Sequence, residues 1–171
     1  MPILLTDLIS KNLTVIFCGI NPGLKSAWDG HHFSGRSNRF WKVLHQAGFT
    51  PHEILPVNDA TILDFGYGLT TAVERATTRA DELTKDEFHN SIEAFKVKMK
   101  QYQPKHIAFL GKMAYAAFSG KKNISWGHQP ETFCGAAVWV LPNPSGLNRG
   151  FTLTDLVTSY REMYLSISQK A

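Results

Sequence analysis

The 171-residue chain has only two cysteines, Cys18 and Cys134, and neither belongs to a C-x-x-C pair. That excludes a disulfide scaffold and a cysteine-built zinc or iron–sulfur centre, and both thiols read as buried side chains. No run approaches the roughly 20 apolar residues that span a bilayer, and residues 1–10 lack the basic lead and long apolar stretch of a secretory signal. A soluble protein of a reducing compartment, the cytoplasm, is expected, with no membrane partner. There is no G-x-G-x-x-G turn and no G-x-x-x-x-G-K-[ST] loop, so nicotinamide and nucleoside-triphosphate chemistry lack their phosphate cradles. His31 and His32 are adjacent, but without an E-x-x-H or H-x-x-x-H partner they read as a surface loop and not a metal site. Neither a metal nor a cofactor is assigned. Repeats, linkers and low-complexity tracts are missing as well, and charged residues make up 19% of the chain, which argues against disorder.

What is present suits a packed core. Hydrophobic residues make up 43% and aromatics 12%, enough for a single domain over 1–171, and a monomer is expected. The net charge of +4 permits an anionic partner without requiring one. Three short β-branched runs, Leu13 to Cys18, His106 to Leu110 and Ala137 to Leu141, end at Gly19, Gly111 and Pro142 and read as buried strands; a fourth is expected around Gly66 to Val73. Amphipathic stretches lie between and after them. Asn38 to Ala47 places Phe40, Val43, Leu44 and Ala47 on one side with Gly48 as a stop. A capping box at Thr84 to Glu87 opens a helix carrying Phe88, Ile92, Phe95, Met99 and Tyr102, and Thr152 caps another carrying Leu153, Leu156, Val157, Tyr160, Tyr164 and Ile167. Lys96, Lys98 and Lys100 read as a solvated helix face. This alternation predicts an α/β protein, a mainly parallel sheet between two helical layers, with ligands bound beyond the carboxyl ends of the strands.

Two loops follow strands there: Gly19-Ile20-Asn21-Pro22-Gly23 and Asn143-Pro144-Ser145-Gly146-Leu147-Asn148-Arg149. Proline steers each preceding asparagine away from the α region, and the glycines allow a ligand close to the backbone. Each alone is also an ordinary Asn-Pro turn. Their pairing, with Asn38-Arg39-Phe40-Trp41-Lys42 between them, resembles the mismatch-specific uracil/thymine DNA glycosylases, a branch of the uracil-DNA glycosylase superfamily, over nearly the whole chain.

The resemblance implies a three-layer α/β/α fold and hydrolysis of the N-glycosidic bond of uracil-like bases opposite guanine in double-stranded DNA, leaving an abasic site. Such an enzyme must extrude its nucleotide. Leu147 is then the apolar wedge, with Asn148 and Arg149 offering donors to the orphaned guanine or to phosphates; the alternatives are a buried loop anchor and a solvated charge. Asn21 is the catalytic candidate. Its amide oxygen can orient a water but cannot take the proton at neutral pH, so most of the rate falls to donors that stabilise the leaving base, the Ile20 N–H and the Asn143 amide. Gly19 joins Ile20 in the base-binding loop. Phe33, twelve residues beyond Asn21, matches the family's aromatic platform for the extruded base; otherwise it is core. Where the family commonly has lysine or asparagine near the scissile bond, this chain has Thr71, which hydrogen-bonds but carries no positive charge. Lys25, Ser26 and backbone donors at Gly23 and Gly146 are placed for the flanking phosphates, and polar Ser145 joins the DNA-binding residues of the second loop. No lysine sits in either motif core, so Schiff-base lyase chemistry is not expected. Two rivals stand beside this reading: a hydrolase of free nucleosides or nucleotides, and a non-catalytic reader of damaged DNA.

Overall fold

A computed structural model describes residues 4–169; the first three of the ten residues read for a targeting signal lie outside this range. Four parallel strands form the centre: β1 (Val15–Gly19), β2 (Tyr67–Thr71), β3 (His106–Leu110) and β5 (Ala137–Leu141). A two-residue strand, β4 (Gly127–His128), pairs antiparallel with β5 at one edge, giving the order β2-β1-β3-β5-β4. The first strand begins two residues later than its hydrophobic run, and Leu13 and Thr14 bond to Lys105, Gly66 and His106 at the strand entrance.

Strand residues alternate between two apolar layers, as the two-residue period of a strand requires. Ile16, Cys18, Ile107, Phe109, Val138 and Val140 pack against α3 (Lys85–Tyr102) and α4 (Lys112–Ser119) through Phe88, Phe95, Met99, Tyr115 and Phe118. Val15, Phe17, Ala108, Leu110, Trp139 and Leu141 pack against α2 (Phe40–Gln46) and α5 (Leu153–Ser168) through Phe40, Val43, Leu44, Leu156, Tyr160 and Met163. The result is the expected three-layer α/β/α arrangement. The capping box at Thr84 is formed, Thr84 Oγ1 accepting from the Glu87 N–H, and the Thr152 cap is a capping box too, Thr152 Oγ1 accepting from the Asp155 N–H. A six-residue α1 (Leu24–Asp29), the helix α4 and two 3-10 stretches, Pro56–Phe65 and Ala80–Glu82, add to the elements read from sequence.

Three readings need correction. Lys98 is not part of a solvated face: two residues turn an α-helix by about 200°, so Lys98 lies opposite Lys96 and Lys100. It packs inward, its ammonium 2.5 Å from Asp7 and 3.3 Å from the Thr70 hydroxyl. Cys134 is only half-buried, in a tight turn with φ +50°, whereas Cys18 is fully enclosed. His32 is buried at 3% exposure rather than part of a surface loop, since Thr6 and Asp59 enclose it from segments the sequence does not show as neighbours. Among the described residues no helix is long and apolar enough to cross a membrane.

Candidate active site at the carboxyl ends of the strands

The chain leaves β1 for β2 on one side and returns to β3 on the other, so the space beyond β1 is the crevice where such sheets bind ligands. A cavity of about 350 Å³ opens there, within the range of small-molecule sites. Its lining includes Gly19, Ile20, Asn21 and Gly23 after β1, Thr71 at the end of β2, Leu110 at the end of β3, and Asn143, Ser145, Gly146 and Leu147 after β5. Gly111 lies where the two loops meet, a Cβ on it falling in ordinary contact at 3.4 Å from Ile20 and 3.8 Å from Asn143, and its φ of +113° is what calls for glycine there.

The two asparagines present opposite groups. Asn21 Nδ2 donates to the Arg75 carbonyl and to Thr77 Oγ1, each at 2.8 Å. The Thr77 proton goes to the Arg79 carbonyl, so toward Asn21 its oxygen only accepts. Two acceptors fix the amide orientation and leave Asn21 Oδ1 free to accept a hydrogen bond. Asn143 is fixed the other way: its Oδ1 accepts from the Ser145 N–H at 2.9 Å, which leaves its NH₂ group as donor. One acceptor suited to a water and one donor suited to a developing anion therefore border a single cavity.

The brace on Asn21 comes from the segment that follows β2. Residues 72–77 run alongside the first loop through Ala72 N–H to Gly19 O, Val73 N–H to Ile20 O and Thr77 N–H to Pro22 O. Arg75 is fastened in turn to Glu87 through Nε and Nη2 at 2.5 and 3.1 Å. The Arg75 guanidinium and the Thr84 N–H hold the Glu87 carboxyl down to about 2, so this clasp stays charged across the working range. Arg75 and Thr77 lie 54 and 56 residues from Asn21, beyond the reach of spacing rules.

Phe33 borders the cavity with one side of its ring stacked on Phe40, centroids 4.1 Å apart and planes inclined by 21°. Its backbone has φ +53°, a left-handed conformation that costs a phenylalanine about 1–3 kcal/mol and therefore needs support from its surroundings. The neighbouring His32 supplies it: its N–H donates to Asp59 Oδ2, its carbonyl accepts from Trp41 Nε1, and its Nε2 bonds the Thr6 carbonyl at 2.8 Å. A carbonyl only accepts, so Nε2 carries the ring proton. A Cβ on Gly19 would sit 3.9 Å from both Phe33 Cζ and Thr71 Cγ2, so the glycine keeps the floor between them open.

Burial, only partly opposed by the Thr6 carbonyl and Asp59, pushes the His32 imidazole below its ordinary 6.5. As pH falls through that value the unfolded chain takes up a proton that folded His32 refuses, so stability declines in that direction. Thermal unfolding midpoints between about pH 7.5 and about pH 5.5 should drop further in the wild type than in His32→Gln, whose side-chain amide can still donate to Thr6. Equal drops would contradict this assignment.

The remaining predicted residues divide. Leu147 is 59% exposed and projects from the rim. Gly146 is obligatory beside it, because a Cβ there would meet Ser37 Cβ at 2.4 Å and the Ser37 carbonyl at 2.8 Å. Ser26 is buried, its hydroxyl oxygen accepting from the Ser34 N–H, and the Lys25 ammonium is paired with Asp29 at 2.9 Å. Asn148 and Arg149 are not brought into the cavity. Asn148 uses its amide on the Asn143 carbonyl, and Arg149 is exposed.

A family model for the uracil DNA glycosylase superfamily matches residues 6–163. Among solved structures, the solution NMR structure of a candidate uracil DNA glycosylase from Methanosarcina acetivorans is similar, at 18% identity and a TM-score of 0.62 over 94% of this chain and 97% of that one. At that identity the likeness is one of fold.

Proposed function

Because the chain belongs to the uracil DNA glycosylase superfamily, we propose that it is a monofunctional glycosylase that removes uracil, and other altered pyrimidines such as ethenocytosine or mispaired thymine, opposite guanine in double-stranded DNA. The observation that carries this reading is the opposed pair of asparagine amides on one cavity.

Cleavage of a glycosidic bond develops positive charge on the sugar and negative charge on the departing base. The extruded base stacks on Phe33 above the floor at Gly19, with Thr71 at its side. The Asn143 NH₂ and the Ile20 N–H stabilise the growing charge on the base, and donors held in place before the reaction need no reorganisation to do so. Asn21 Oδ1 orients the water that traps the sugar cation. Because an amide is a feeble base, the water loses its proton late, to bulk water, after the bond to the base is largely broken. Stacking reads shape rather than hydrogen-bond pattern, so several pyrimidines fit the same pocket. Leu147 fills the space the nucleotide leaves. Among the described residues Lys25 is the one lysine lining the cavity, and its ammonium is engaged by Asp29, which accords with hydrolysis rather than Schiff-base chemistry.

Labelled duplexes, each carrying one lesion opposite guanine, test the proposal. Incubation followed by hot alkali should break the strand at uracil, and omission of alkali should leave it intact. Inertness across the panel with retained binding would favour a damaged-DNA reader; breakage without alkali would contradict the monofunctional assignment.

A further inference from the structure

Arg39 precedes α2, more than 100 residues from the loop that carries Leu147, yet its guanidinium is spent on that loop. Nε donates to the Pro144 carbonyl at 3.3 Å, Nη1 to the Phe151 carbonyl at 2.6 Å, and Nη2 to the carbonyls of Ser145 and Asn148 at 2.9 and 3.0 Å. Its main-chain N–H donates to Pro144 as well. Carbonyls on both sides of Leu147 thus converge on one planar cation. Among the described residues no carboxylate forms an ion pair with Arg39. By contrast, the side-chain bonds of Asn143, Ser145 and Asn148 run within the loop: Ser145 N–H to Asn143 Oδ1, Leu147 N–H to Ser145 Oγ, and Asn148 Nδ2 to the Asn143 carbonyl. They give it a local shape, while Arg39 and the Gly146–Ser37 contact fix that shape to the body of the protein.

We propose that Arg39 is a positioning residue for base extrusion, holding residues 144–151 in the conformation from which Leu147 projects. The inference rests on the glycosylase reading above. A loop ordered in advance spares the ordering that insertion into a duplex would otherwise require. Arg39 does not line the cavity, so it acts on extrusion through Leu147 and not on bond cleavage. A lysine keeps the charge but concentrates its donors at one point, and cannot reach carbonyls spread along the loop.

The test is a double-mutant cycle in single-turnover uracil release from a G·U duplex, using wild type, Arg39→Gln, Leu147→Ala and the double variant. In parallel, fluorescence of a 2-aminopurine placed beside the uracil reports extrusion. Arg39→Gln should slow release about tenfold or more and lose most of the fluorescence change. Arg39→Lys should recover little of either. The double variant should be no more than about twofold slower than the slower single variant, because a lost wedge leaves Arg39 nothing to position. Multiplied losses, or slowed release with an unchanged extrusion signal, would overturn the inference and leave the glycosylase intact. Should Arg39→Gln fail to fold, Arg39→Lys enters the same cycle. A wild-type protein that releases no uracil would overturn the glycosylase reading itself.

Discussion

Asn21→Ala should lower the single-turnover rate of uracil release by about 10²–10³-fold while leaving affinity for a uracil-containing duplex within a few-fold of wild type. The alanine removes the amide oxygen assigned to the attacking water, yet takes away no contact to the base or the flanking strand in the proposed arrangement. Its split between rate and binding separates an oriented-water role from a structural one: a residue that merely tied its turn would lose both together. Asn21→Asp sharpens the expectation. A carboxylate is the better base, but both acceptors now facing Nδ2, the Arg75 carbonyl and Thr77 Oγ1, would face an anionic oxygen instead. The Thr77 hydroxyl can turn to donate; the Arg75 carbonyl cannot. Asn21→Asp should therefore also fall at least about tenfold below wild type, the loss of position outweighing the gain in basicity. An aspartate variant faster than wild type would show that the Arg75–Thr77 brace does not set the working geometry.

Leu147→Ala carries the second large effect. The side chain is already 59% exposed, so its removal opens no cavity and thermal stability should not change measurably. On the proposed reading the leucine becomes buried between bases in the duplex, and burying such a side chain contributes about 1.5–3 kcal/mol, which corresponds to roughly a 10- to 100-fold loss in release from a G·U duplex. Retention of the abasic product should weaken by a similar factor. A hydrolase of free nucleosides has no use for a wedge, and for it Leu147→Ala would be silent. Unchanged duplex activity in this variant would favour that rival.

The elements with local chemical signals were legible in the amino-acid order. The cores of β1, β3 and β5 are short apolar runs closed by glycine or proline, α3 opens with a capping box visible as Thr84 with Glu87, and α5 opens at a cap visible as Thr152. Elements without such signals were not: α1 and α4 are six and eight residues with no side-chain cap, β4 is two residues long, and Pro56–Phe65 is a 3-10 stretch broken at Asn58. The site shows the same division. The positions of Asn21 and Asn143 after their strands follow from the motifs, but which atom each presents depends on Arg75, Thr77 and Ser145, known only once the chain is folded. Arg39 was legible as part of a helix-opening motif and not as the anchor of a loop more than 100 residues away. Lys98 and His32 were misread for the same reason, their partners Asp7, Thr6 and Asp59 being distant in sequence.

The central claim is that an extruded pyrimidine occupies the cavity between the two asparagine loops. A crystal structure of the wild-type protein on a G·U duplex, with a 2′-fluoro substituent on the target nucleotide to resist cleavage, tests it most directly. The account predicts the uracil ring against Phe33, a base oxygen within hydrogen-bond distance of Asn143 Nδ2, a water on Asn21 Oδ1, and Leu147 in the vacated stack. A uracil still paired within the helix, or lodged away from Asn21 and Asn143, would contradict it.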